Sequence, residues 1–142
     1  MFPPREVLPR VWIGNYQTAM DGDFMRDHRI GLVINCTRHV PSPYSDEIAT
    51  YRVPVDDARA WSGVLASHVR PVVAAMRRTL RETDRSVLVH CHAGISRSAT
   101  VVAAYLVLEH GMDAREAIAA IQRSKPETFR PEPVFFDVLS HL

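Results

Sequence analysis

The residues best placed to do chemistry crowd into one stretch, VLVHCHAGISRSATVVAAYLV, Val87 to Val107. An apolar run stops at His90-Cys91, a short polar loop follows, and a second apolar run then continues with helical spacing. Such a loop joins a strand to the N-terminus of a helix, where backbone N–H groups lack partners and the helix dipole is positive. Gly94 permits a curl that turns those amides inward into an anion nest. Arg97 adds a planar fork able to hold two oxygens of a phosphate. The ligand this suits is a tetrahedral dianion. A cysteine in the same field ionises readily, so Cys91 is expected to be a thiolate, a nucleophile aimed at phosphorus. Ser98 can donate a hydrogen bond to that sulfur and help it leave when a covalent intermediate is hydrolysed. His90, at the strand end, reads as a brace for the loop rather than a base.

Other chemistries fit less well. A Walker phosphate loop needs a Gly-Lys-Ser/Thr triplet, which the chain lacks. A cysteine protease has candidate histidines in His68, His90 and His92, but gives no reason for Gly94 and Arg97. The two cysteines, Cys36 and Cys91, have no ligand pairs at zinc spacing, so no metal is expected. A plain core cysteine before a helix leaves Arg97 and Ser98 unexplained.

The elements that must position this loop follow from periodicity. Val7 to Ile13, broken by Pro9, reads as a short strand or strand pair at a sheet edge. Thr18 to His28 has helical spacing. Ile30 to Cys36 and Ser86 to Val89 are apolar strands expected side by side, and YRVPV is a further short strand ending at Asp56-Asp57. A helical stripe runs to Thr83 from Ser62, with a kink at Pro71, or from Ser67, with Pro71 in its first turn. Ser98 to His110 is a helix capped by Gly111. Asp113 and Glu116 form a capping box for a helix through Arg123, and Pro133 suits the first turn of a last helix. Strands alternating with helices imply an α/β layer architecture, with ligands at the carboxyl ends of the strands.

Composition bounds the rest. At 142 residues, 46% hydrophobic, the chain suits one domain, residues 1–142. A net charge of +1 gives no general attraction to nucleic acid or an anionic membrane, and neither partner is expected. No apolar run approaches a membrane span or a signal peptide. A cytoplasmic protein with reduced cysteines is the expectation.

At HCHAGISRS the chain resembles the dual-specificity branch of the cysteine-dependent protein tyrosine phosphatases, whose His-Cys-x-x-Gly-x-x-Arg-Ser signature is complete here. LPRVWIGNYQTAMD, IGLVINCT and VPVDD resemble other family segments. The resemblance implies a single α/β domain with a twisted, mixed but largely parallel sheet of four or five strands between helices, and no cofactor. It implies Cys91 as nucleophile and Arg97 as the phosphate-binding cation. It gives the backbone amides of His92, Ala93, Gly94, Ile95, Ser96 and Arg97 the task of holding phosphate oxygens, and Ser98 that of easing thiolate departure. The family's Pro-x-x-Asp pattern points to Asp57 as general acid; Asp56 is its rival. Only one should face the pocket, because extended backbone turns neighbours apart. INCTRH resembles a strand end in a lipid-directed relative whose cysteine can pair with the nucleophile on oxidation, which makes Cys36 a candidate redox partner, the alternative being an inert core thiol.

The chain departs from the family where Val134 stands in place of a common asparagine. The Arg130-Pro131 pair and the region from VVAAYL to FFDVL are also similar to phosphatidylglycerophosphate-directed relatives, but the phosphate loop carries no lysine, which argues against a polyanionic lipid. The expected substrate is a phosphorylated protein or peptide, bearing phosphotyrosine and phosphoserine or phosphothreonine in a shallow site. Candidate walls are Arg38, His39, Tyr44, Arg59, Trp61 and His92. The alternatives are a lipid or small-molecule phosphomonoesterase using the same chemistry, and a phosphoprotein-binding fold without catalysis.

Overall fold

Alternation along the strands sorts their side chains into two cores, one on each face of a single sheet. Val87 and Val89 point to one face and Leu88 to the other; Leu32 and Ile34 oppose Val33 in the same way, and a register shift between Ile30 and Leu32 puts Ile30 on Val33's face. A computed structural model describes residues 2–142. Its strands are β1 (Arg5–Leu8), β2 (Val11–Gly14), β3 (Ile30–Asn35), β4 (Ala49–Arg52) and β5 (Ser86–His90). They lie in the order β1-β2-β5-β3-β4, antiparallel only between β1 and β2. The mixed, largely parallel sheet matches the expectation. β5 is central and buried along its whole length, which is why it reads as an unbroken apolar run.

The larger face is covered by α3 (Ser62–Glu82), α4 (Arg97–His110), α5 (Ala114–Ser124) and α6 (Phe136–Ser140). The smaller face carries α1 (Tyr16–Ala19) and α2 (Gly22–Asp27). The single helix expected over Thr18 to His28 is therefore two. Asp21 breaks it, with an extended backbone and a side chain that caps Phe24 N–H. α3 starts at Ser62 and runs through Pro71. The proline is tolerated because it sits on the exposed face with Ser67, whose freed carbonyl water can reach. Gly111 caps α4 at φ 70°, and Asp113 and Glu116 form the expected capping box. α6 begins at Phe136, after Pro133 rather than around it. Among the described residues no helix is long and apolar enough to cross a membrane.

The consequence for function is directional. β2, β5, β3 and β4 run parallel, so Gly14, His90, Asn35 and Arg52 all end at one edge of the sheet. Every chemically notable segment begins there.

Candidate active site

The loop from Cys91 to Ser96 leaves the centre of that edge and enters α4 at Arg97. Its carbonyls are held outward. His92 O accepts from Tyr16 N–H at 3.2 Å, Ile95 O from Phe129 N–H at 2.9 Å, and Ser96 O from Thr100 N–H and Oγ1 at 2.9 and 2.8 Å. A peptide whose C=O points out points its N–H in, so these bonds turn the amides of Ala93, Ser96 and Arg97 toward the centre of the loop. Gly94 takes φ +74°, and a Cβ there would lie 2.7 Å from Gly14 O. Only glycine lets the loop bend so and press against the end of β2.

Cys91 is 2% exposed, and its Sγ receives Gly94 N–H at 3.2 Å and shares a 3.3 Å hydrogen bond with Ser98 Oγ. Three of the five signature residues, Cys91, Gly94 and Ser98, thus meet at the sulfur. Arg97 Nη1 donates to Val55 O at 2.9 Å, which ties the segment after β4 to the loop. Beyond Val55, past the end of β4, the two carboxylates have different surroundings. Asp56 pairs with Arg38 at 3.0 Å, and the Arg38 guanidinium lies 4.7 Å from the Trp61 ring centroid. Asp57 is exposed and, among the described residues, makes no side-chain hydrogen bond or ion pair.

His90 is fully buried. Its Nδ1 meets Cys91 O at 3.3 Å, so that nitrogen carries the proton, and Nε2 has no partner among the described residues. Burial lowers its pKa to about 4, against the upward pull of the Cys91 carbonyl and with help from Arg52 and Arg97. The ring is neutral around pH 7, a brace as read from sequence and not a cation beside the sulfur. Cys36 follows β3 directly, and its N–H donates to His90 O at 2.8 Å. It is a free, fully buried thiol; burial pushes its pKa well up, Cys91 adds to this, and Arg97 acts against it.

The expected walls divide. Arg38, His39 and His92 are exposed, Trp61 is half-buried under Arg38, and Arg59 pairs with Glu132 at 3.2 Å. Tyr44 is not among them. Its hydroxyl donates to Ala19 O at 2.8 Å and its ring packs on the smaller core, where burial raises its pKa to about 12. The trace of its loop decides this, because Asn35 and Arg52 both fasten Val40 O, at 2.7 and 2.8 Å. Sequence reading missed Tyr16, whose ring stacks on His92 with centroids 4.7 Å apart and planes 22° apart. It also missed Phe129. Neither contact has a local signal, whereas Thr100, four residues after Ser96, could have been found by its spacing.

A family model described as dual specificity phosphatase, catalytic domain, matches residues 11–142. The chain belongs to the dual specificity phosphatase family and is a cysteine-dependent protein phosphatase. Mouse dual specificity phosphatase 28 is 35% identical over 124 residues, covering 87% of this chain and 74% of the relative. The crystal structure of human dual specificity phosphatase 28 superposes with a TM-score of 0.88 at 30% identity, covering 99% of this chain and 93% of that one. A mouse dual specificity phosphatase crystallised with zinc tungstate gives 0.88 at 33% identity, covering 98% and 85%. The lipid-directed and non-catalytic alternatives are not needed.

Proposed function

We propose that residues 1–142 act as one catalytic domain that hydrolyses phosphotyrosine and phosphoserine or phosphothreonine monoesters on protein or peptide through a phosphocysteine intermediate. The observation that carries this is the environment of Cys91 Sγ, which takes hydrogen bonds from Gly94 N–H and Ser98 inside a loop whose carbonyls are held outward. The sulfur attacks phosphorus and the ester P–O bond breaks. The amides of His92 through Arg97 and the Arg97 guanidinium hold the phosphoryl oxygens, where charge spreads in the transition state. Asp57 gives its proton to the leaving oxygen. It then takes one from the water that attacks the phosphocysteine, and phosphate leaves while Ser98 donates to the departing thiolate.

Asp57 is favoured over Asp56 because Arg38 already holds Asp56. The exposed faces of His92 and Ala93 and the Tyr16–His92 stack make a low wall. Such a wall admits a short phosphoserine as well as an aromatic ring. Two free thiols suit a reducing compartment such as the cytoplasm. No step requires a cofactor, a metal, nucleic acid or stable membrane attachment.

Purified protein with a chelator present is expected to turn over an aryl phosphate and all three phosphopeptide types, with vanadate competing and Cys91→Ser inert. Asp57→Asn should lose roughly 10²–10⁴-fold in kcat, as removal of a general acid does. Asp56→Asn should lose much less. Full activity in Cys91→Ser would end the reading, and the reverse order of the two aspartates would transfer the acid to Asp56.

A further inference from the structure

Lys125 is fully buried, and among the described residues it is the one lysine or arginine that is. A buried ammonium is costly unless its donors are met. Here Nζ donates to Glu127 Oε2 at 2.7 Å and to Pro3 O at 3.1 Å, and lies 5.9 Å from the Phe2 ring centroid. Burial works to raise the Glu127 carboxyl, but the Lys125 hydrogen bond, a bond from Glu127's own backbone N–H, and the charges of Lys125 and Arg5 together hold it below its ordinary value. A lysine ending a surface helix needs no such arrangement, so the question is what it holds.

The bonds lead from Lys125 to the phosphate loop. Its carbonyl accepts from Thr128 N–H at 3.1 Å and Thr128 Oγ1 at 2.7 Å, closing residues 125–128 into a turn. Gln122 Nε2 ties that turn back to α5 through Thr128 O at 3.0 Å. The chain then passes through Phe129 at φ +62°, a left-handed conformation that a phenylalanine adopts only when its surroundings hold it there. In that conformation Phe129 N–H reaches Ile95 O at 2.9 Å. The Ile95 carbonyl belongs to the same peptide as Ser96 N–H. Holding the oxygen outward keeps that amide facing the centre of the loop.

We infer that Lys125 is a positioning residue for the phosphate loop: through Glu127, the Pro3 carbonyl and the turn to Phe129, it keeps the Ile95–Ser96 peptide oriented toward the bound phosphoryl group. The inference rests on the phosphatase reading above and extends it to a residue far from the reacting atoms in sequence.

The test compares Lys125→Met, Lys125→Arg and Glu127→Gln with the unaltered protein, at a temperature where circular dichroism shows each folded. The readouts are vanadate inhibition, kcat and KM on an aryl phosphate, and the pH profile of Cys91 alkylation by iodoacetamide. Lys125→Met should weaken vanadate inhibition about tenfold, the scale of one hydrogen bond to a charged group. It should lower kcat more than it raises KM and move the alkylation profile to higher pH. Lys125→Arg should restore part of each. If Lys125→Met does not fold, Glu127→Gln, which keeps the volume and an acceptor, carries the same readings at smaller size. A folded variant whose vanadate inhibition and alkylation profile match the unaltered protein, whatever its melting temperature, overturns the inference. Failure of the phosphatase reading would show instead in the unaltered protein, which would neither turn over substrate nor bind vanadate.

Discussion

Acidification should test the buried state of His90 most directly. The ring is wholly enclosed, with its pKa lowered to about 4 by burial and by Arg52 and Arg97, over the opposing pull of its own bond to Cys91 O. In the unfolded chain an unperturbed histidine titrates near about 6.5. Above that pH both states hold the ring neutral, and folding is indifferent to it. As pH falls toward 4 only the unfolded chain takes up the proton, so the folded state loses ground throughout that window. The gap between about 6.5 and about 4 corresponds to roughly 3 kcal/mol at 1.36 kcal/mol per unit. The assay is urea unfolding at a series of pH values, run on the protein and on His90→Gln. Other groups titrate alike in both, so the difference between the curves isolates this ring. The protein should lose roughly 3 kcal/mol more than the variant between about pH 7 and pH 4. Parallel curves, or an imidazole NMR titration of the folded protein centred above pH 6, would refute the reasoning.

Three further outcomes follow from the same site. Gly94→Ala should cost at least about 1–2 kcal/mol from the left-handed backbone, and it should abolish vanadate inhibition, because the new methyl meets Gly14 O at 2.7 Å; calorimetry and an inhibition assay read the two effects. Ser98→Ala should leave the first burst of aryl alcohol intact and slow the steady state, since the sulfur loses the hydroxyl 3.3 Å away that we propose assists its departure; rapid-quench kinetics separate the phases. Hydrogen peroxide should convert Cys91 to a sulfenic acid, which Cys36 attacks to form a disulfide with loss of water. A nonreducing peptide map should show the Cys36–Cys91 pair, and Cys36→Ser should recover less activity on reduction; absence of the linked peptide makes Cys36 an inert core thiol.

Much of this molecule could be read locally, and the failures were non-local. The strand–loop–helix turn that carries Cys91 and Arg97 is legible because its residues are neighbours in sequence. The ends of α4 and α5 were set by Gly111 and by Asp113 with Glu116, signals confined to a few residues. The break between α1 and α2 had a signal too, in Asp21, but the apolar spacing across it imitates one helix. Pro71 left two starts open for α3, and burial decided between them, since the helix turns its proline to solvent. Tyr44 was misplaced because two distant side chains, Asn35 and Arg52, route its loop. Phe129 was invisible because nothing in a phenylalanine announces a positive φ.

The bond from Arg97 to Val55 O makes two functions inseparable. One guanidinium arm reaches toward the loop that carries the carboxylates, while the remaining donors stay free for an oxyanion. In the mechanism we propose, gripping the phosphoryl group and setting the height of the proton donor above it therefore become a single geometric event. A lysine at this position would keep the charge and forfeit that coupling, because a lone ammonium has no fixed angle between its donors from which the second loop could be aligned.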